Sequence, residues 1–88
     1  MPTRRRRAPA RIVAYYSGKV VGMDYIPDPK QRFSLACYRV RDNVGEGYVL
    51  EGEKLYRISP ASRMAKIVLD SGERERVLAE IQALEAQV

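Results

Sequence analysis

The sequence has no histidine and no tryptophan, and Cys37 is its single cysteine. A disulfide needs two cysteines, so none can form within the chain, and zinc and haem sites lack their usual ligands. We therefore predict no metal site and no cofactor. Cys37 itself is predicted to be a buried, small apolar residue of a strand.

Long hydrophobic runs are also missing. No apolar run approaches the ~20 residues that span a bilayer, which predicts that the chain has no transmembrane helix and no membrane partner. The basic N-terminus is not followed by an apolar export region. A lone thiol is typical of a reducing compartment, so we expect a cytoplasmic protein.

Patterns that carry catalysis are missing as well. The sequence has no Ser-His or Cys-His pair and no Walker or Rossmann glycine pattern. Glu46, Glu51 and Glu53 border turns, where solvated carboxylates are expected. We predict that the protein is not an enzyme.

What is present is enough for one small domain. The chain has 88 residues, of which 45% are apolar and 31% charged, a composition typical of a folded globular protein. We predict a flexible basic arm over residues 1–10, which contain two prolines and four consecutive arginines. Residues 11–88 are predicted to form a single domain.

The net charge of +5 has a definite location. Five arginines and no acid occur in residues 1–11, which leaves eleven bases and eleven acids in residues 12–88. The sequence therefore predicts an electrically neutral domain preceded by a positively charged N-terminal segment.

Turn residues predict two β-hairpins. Ile12–Tyr16 and Lys19–Ile26 flank Ser17-Gly18, which predicts pairing of Tyr16 with Lys19, of Ile12 with Met23 and of Arg11 with Asp24. Residues 48–51 and 54–58 flank Gly52-Glu53, a pair suited to a type II′ turn, in a register that pairs Glu51 with Lys54.

Further strands are predicted on either side of the second hairpin. Pro27–Arg32 is predicted to be a loop, and Phe33–Arg41 alternates as a third strand with Cys37 and Arg39 on one face. Arg63–Leu69 is predicted to be the last strand, with Ala65, Ile67 and Leu69 facing together.

A C-terminal helix is predicted over about residues 71–87. Asp70 is a good N-cap, with Glu73 three residues later as in a capping box. The apolar stripe of this helix consists of Val77, Leu78, Ile81, Leu84 and Val88.

Together these elements predict an α+β fold. Its sheet is small, antiparallel and strongly coiled, with five to six strands that can close into a partly open barrel, and it packs against one C-terminal helix. The first hairpin has apolar residues on both faces, so its second face needs a cover. The sequence allows two ways of covering this face: the sheet coils on itself, or a partner such as a second copy of the chain binds to it.

The arginine run is the main functional signal. Adjacent guanidinium groups neutralise phosphates and release counterions, which gives sequence-independent affinity for nucleic acid. The alternative is a tail that only aids solubility. The predicted nucleic-acid-binding residues are Arg4, Arg5, Arg6, Arg7 and Arg11, assisted by Lys19, Arg39 and Arg41.

Six tyrosines and one phenylalanine are spread over the predicted strands. Exposed aromatic rings beside basic residues such as Arg57 can stack bases of a single strand. Tyrosine is equally a normal strand residue whose ring fills the border of a core, and we assign most of these rings to packing.

Two short motifs resemble those of PilZ domains. Arg7-Ala8-Pro9-Ala10-Arg11 is similar to their Arg-x-x-x-Arg, and Asp42-Asn43-Val44-Gly45-Glu46-Gly47 is similar to their Asp/Asn-x-Ser-x-x-Gly, with Val44 in place of the serine. The resemblance implies a six-stranded barrel followed by a helix. It also implies cyclic di-GMP binding by Arg7, Arg11, Asp42 and Gly47.

The sequence thus supports two main hypotheses. The first is a small non-enzymatic protein that binds DNA or RNA through its basic arm. The second is a protein-interaction or assembly module, a homodimer or a partner-binding domain, that uses an apolar sheet face. Cyclic-dinucleotide binding is a third.

Overall fold

A computed structural model describes residues 11–61 and 64–87. The predicted arm, residues 1–10, lies outside this range, as does Val88 of the predicted helical stripe. Five strands and two helices follow in chain order: β1 (Ile12–Tyr16), β2 (Lys19–Gly22), α1 (Pro29–Asn43), β3 (Gly47–Glu51), β4 (Lys54–Ile58), β5 (Lys66–Ile67) and α2 (Ser71–Glu85).

The strands form one open sheet in the order β2-β1-β3-β4-β5, with every neighbouring pair antiparallel. This confirms the predicted α+β class, its five-stranded antiparallel sheet and its C-terminal helix. β2 and β3 lie on either side of β1 and therefore run parallel to each other. α1 joins them, which makes a β-α-β unit with an antiparallel strand between its two parallel strands.

Both predicted hairpins and the registers at their turns are confirmed, but β2 ends at Gly22 rather than at the predicted Ile26. Tyr16 pairs with Lys19 and Glu51 with Lys54. Ser17 and Gly18 both have positive φ, at 53° and 74°, as a type I′ turn requires. In the second turn Gly52 has a φ of 61° and Glu53 does not have a positive φ, as a type II′ turn requires.

The predicted third strand is wrong, because Phe33–Arg41 lies within α1. Asp28 caps this helix by accepting a hydrogen bond from the Lys30 amide at 3.0 Å, and Pro29 fits the first turn because it needs no donor there. Gly45, with a φ of 82°, donates its N–H to the Val40 carbonyl and ends the helix.

α1 covers the second apolar face of the sheet, which the sequence alone leaves without an assigned cover. One cluster of buried residues joins α1 to one side of the sheet, and a second cluster joins α2 to the other side. The prediction of a single helix is therefore wrong, and the fold has three layers: helix, sheet, helix. The α1 cluster includes Ile12, Ala14, Ala36, Val40 and Val49, and the α2 cluster includes Val13, Leu55, Val68, Val77 and Ile81.

The last predicted strand is shorter than expected, since β5 has only two residues. Its burial is also different: Val68 is buried under α2, whereas Ile67 and Leu69, on the predicted apolar face, are exposed. The predicted pairing of Arg11 with Asp24 lies beyond the end of β2 at Gly22.

α2 begins where the sequence predicts. Asp70 accepts a hydrogen bond from the Glu73 amide at 2.7 Å. The Glu73 carboxylate does not complete the capping box, because it bonds to Tyr48 and Arg57 of the sheet.

Candidate nucleic-acid interface

The structure distributes the predicted binding residues over several places. Arg4–Arg7 lie outside the described residues. Lys19 and Arg39 come together around the side chain of Tyr16, at the end of the first hairpin. Arg11 and Arg41 each lie elsewhere.

Tyr16 organises the first of these places. Its ring is buried, the Lys19 Nζ lies 5.1 Å from the ring centroid, and Arg39 donates from Nε to the tyrosine hydroxyl at 3.2 Å. Both cations are exposed. A cation over a ring and a hydrogen bond to the same phenol hold two positive groups at one surface of the protein.

Arg41 is separated from Arg39 by the helix itself. Residues two apart on an α-helix are ~200° apart around its axis, so these side chains leave opposite flanks of α1. On a strand they would have shared a face. Arg41 lowers the pKa of the Cys37 thiol, but burial is the larger effect and raises that pKa overall. Cys37 is buried as predicted, but in a helix.

Arg11 lies at the other end of β1 from Tyr16, five residues or about 17 Å away along the strand. Its guanidinium forms an ion pair with Glu85 of α2. Arg11, which was predicted to contact phosphate, therefore lies on the α2 side of the sheet.

Charge is segregated across the sheet. α1 carries four basic residues and one acid, a net charge of +3, whereas α2 carries four acids and two bases, a net charge of −2. None of the basic residues of α1 forms an ion pair with an acid in the described part of the chain. Three acids of α2 are paired, with Arg57, Arg76 and Arg11.

Sequence reasoning missed two cations of this surface, Lys30 and Arg32, because they were placed in a loop. Lys30 is exposed on the first turn of α1. Arg32 donates from Nε to the Ile26 carbonyl and so fixes the entry into the helix. The Asp28-Pro29 pair was the signal that these residues begin a helix.

The aromatic rings serve mainly packing, as predicted. Phe33 and Tyr56 meet edge to face at 4.9 Å between centroids, and Tyr15 and Tyr48 stack at 6.1 Å. Among the described aromatic residues only Tyr25 and Tyr38 are exposed. Because helices cover both faces of the sheet, the sheet does not present a stacking platform for bases.

Two tyrosine hydroxyls attach α2 to the sheet. Tyr15 donates to Glu80, and Tyr48 donates to Glu73 at 2.7 Å. The hydrogen bond to Glu80 raises the pKa of Tyr15 above its ordinary value of 10.0, and burial adds to this. Burial and then the bond to Glu73 raise the pKa of Tyr48.

These raised pKa values predict an alkaline limit of stability. The folded state holds the phenolic protons more tightly than the unfolded state, so this stabilisation is complete below about pH 10 and is lost as the pH rises through the raised pKa values. We expect the free energy of unfolding, measured by urea titration, to fall above about pH 10. A double Tyr15→Phe, Tyr48→Phe variant with the same alkaline fall as the wild type would show that other groups cause it.

An open cleft of about 820 Å³ lies at the end of the sheet near the Ser17-Gly18 turn. Tyr16, Tyr48, Arg57 and Lys66 are among its lining residues. Arg57 is paired with Glu73, and the two other charged lining residues, Glu46 and Lys66, have opposite signs, so the cleft has no excess of positive charge. Within residues 11–61 and 64–87, no group of three acids or cysteines is arranged to hold a metal ion.

The residues that resemble the PilZ motifs are not brought together. Arg11 and Gly47 lie beside opposite ends of β1, and Asp42 is on α1. The sheet is open and covered by helices on both faces, so it differs from the barrel that the resemblance implies. Gly47 has a packing role, since an added Cβ would lie 2.7 Å from the Tyr15 carbonyl oxygen.

Comparison with known proteins gives no match: no family model, no curated protein and no solved structure corresponds to the chain. In the described part of the chain, neither helix has the length and apolar character needed to cross a membrane.

Proposed function

We propose that the protein binds nucleic acid without catalysis, through the outer face of α1, Lys19 and the basic N-terminal arm. The observation that carries the proposal is the unpaired positive charge of α1. Its bases have no acidic partners among the described residues, while the acids on the other side of the sheet are largely paired. Unpaired cations on one side of the sheet favour contact with a phosphate backbone.

Shape favours a duplex over a single strand. α1 has 15 residues and is therefore about 22 Å long, and the major groove of B-DNA, about 12 Å wide, admits an α-helix. Gln31, Ser34 and Tyr38 are exposed on this helix and are able to form hydrogen bonds. A single strand would need exposed rings on which to stack, and the described residues offer few.

The test is fluorescence anisotropy with labelled duplex DNA, single-stranded DNA and double-stranded RNA from about 50 to 200 mM salt. We expect the tightest binding to the DNA duplex, with affinity falling steeply as salt rises. Absence of binding by the full chain at the lowest salt would refute the proposal.

The contribution of the arm is measured separately by deleting residues 1–10. The deletion removes four arginines, and we expect the salt slope to become shallower by up to about 4. A matched control replaces Arg4–Arg7 with glutamine and keeps the chain length. Equal affinity and slope for all three proteins would limit the interface to the folded body.

The alternative function is a protein-interaction or assembly module. It was inferred from an apolar sheet face that α1 covers, so that face no longer supports it. A different observation favours it now. Apolar side chains are exposed at the β5 border of the sheet, and they carry the inference that follows.

A further inference from the structure

The outer border of β5 has backbone groups that point away from the sheet. The Val68 amide donates to the Leu55 carbonyl at 2.8 Å, so Val68 and Leu55 form a hydrogen-bonded pair. In an antiparallel ladder the groups of alternate residues point to opposite sides. The N–H and C=O of Ile67 therefore point outward, as an added strand requires.

Apolar side chains accompany these backbone groups. Ile67 pairs with Tyr56, whose ring contacts Phe33 of α1, so the three side chains share one face of the sheet. Ile67 is 46% exposed and Leu69, two residues later, is 84% exposed. We call Phe33, Tyr56, Ile67 and Leu69 the edge shelf.

Two lysines flank the edge shelf. Lys54 lies two residues before Tyr56 on the same face of β4, and Lys30 lies one helical turn before Phe33. Both are exposed, and neither forms an ion pair within the described residues. The exposed residues of the shelf, Ile67 and Leu69, are aliphatic, and the half-buried rings of Phe33 and Tyr56 pack edge to face against each other. The shelf therefore has no open aromatic face on which a base would stack. The chemistry therefore favours an acidic peptide over nucleic acid.

We propose that the edge shelf binds an extended acidic segment of a partner protein, which adds a strand to β5. The segment forms backbone hydrogen bonds with Ile67, its apolar side chains pack on Ile67 and Leu69, and its carboxylates meet Lys30 and Lys54. A second copy fits less well. Residues 64–69 contain one lysine and no acid, so two paired copies would bring like charges together.

The test uses a synthetic octapeptide with glutamate, valine, valine and glutamate at its odd positions and threonine at its even positions, so that the valines and glutamates share one face of the added strand. It is titrated to about 1 mM into the full-length protein labelled with nitrogen-15. We expect chemical-shift changes in the amides of Ile67, Leu69 and Lys54. The same peptide with lysine in place of glutamate should produce none. Changes spread evenly over the protein, or equal changes with the lysine peptide, would overturn the proposal.

Two variants locate the interaction. Ile67→Pro removes an outward donor without removing a bond to β4, and Leu69→Lys places a charge on an exposed side chain. We expect each to reduce the affinity for the peptide at least tenfold. Ala83→Lys, which adds the same charge at an exposed position of α2, should leave it unchanged. Unchanged affinity in Leu69→Lys would refute the site even if Ile67→Pro failed to fold.

The experiments also distinguish two other ligands of the edge shelf, a second copy of the chain and a nucleic acid. A wild-type dimer in light scattering that Leu69→Lys converts to a monomer would assign the shelf to a second copy and overturn the proposal. An oligonucleotide that shifts the Ile67 and Leu69 amides more than the glutamate peptide does would also overturn it. This inference does not depend on nucleic-acid binding, because Ile67, Leu69 and Lys54 are not part of the interface proposed for nucleic acid. Lys30 is common to both surfaces, and both ligands are negatively charged.

Discussion

Gly47→Ala is expected to destabilise the protein by about 3 kcal/mol, the upper end of the usual cost of overpacking. An added Cβ would lie 2.7 Å from the Tyr15 carbonyl oxygen, 2.9 Å from the Tyr16 Cβ and 2.9 Å from Val40 Cγ1. Two of these atoms belong to β1 and the third to α1. No side-chain rotation relieves the contact with a backbone carbonyl, so the layers themselves would have to separate.

Gly22→Ala is the matched control. Nothing lies within 4 Å of a Cβ added at this position, and the residue does not require a positive φ. We expect a change within about 0.5 kcal/mol, as for other exposed positions. Urea unfolding of both variants at neutral pH measures the difference. Equal stability of the two would contradict the close approach of α1 to β1 and β3 at Gly47.

The hairpins were predictable because their signals are local. A two-residue turn that needs positive φ fixes the register of the strands on either side, and Gly18 and Gly52 provide that conformation. The cross-strand pair of Glu51 and Lys54 follows from the turn alone. Such features do not depend on the rest of the fold.

α1 was not predictable from alternation, because its pattern fits both periods. Phe33, Ala36, Cys37 and Val40 follow the helical spacing, while alternate residues of the same segment also suggest a strand. The decisive signals lie outside the segment, in Asp28-Pro29 before it and in Gly45 after it. A helix there also removes the need for a coiled sheet or a partner to cover the second face.

The candidate site was predictable only in part, for the same reason. Net charge and its position along the chain come directly from the sequence, but the faces of Arg39 and Arg41 depend on whether the segment is a helix. The partnership of Arg39 and Lys19 around Tyr16 joins residues that are distant in the sequence. The pairing of Arg11 with Glu85 likewise depends on where α2 ends on the sheet.

Within the folded body, the largest functional effect is expected from removing the cations around Tyr16. In a Lys19→Gln, Arg39→Gln variant two phosphate contacts are lost, so the slope of log affinity against log salt should become shallower by about 2. Tyr16 is buried and keeps its packing contacts, so the fold should persist. The single variant Arg39→Lys, which keeps both positive charges, should retain most of the slope.

The matched control removes two cations from the other side of the sheet. Arg74→Gln with Arg76→Gln changes the net charge equally and also breaks local contacts, because Arg74 bonds to the Glu53 carbonyl and Arg76 pairs with Glu80. α2 carries net negative charge and should not contact phosphates. Thermal unfolding of both variants establishes that each is folded under the binding conditions.

The most direct measurement of the charge-segregated interface is therefore the salt dependence of duplex DNA binding by these two double variants, compared with the wild type. We predict a weaker affinity and a shallower slope for Lys19→Gln, Arg39→Gln, and a near-wild-type slope for Arg74→Gln, Arg76→Gln. Equal slopes for the two variants would contradict the assignment of the α1 side as the nucleic-acid interface.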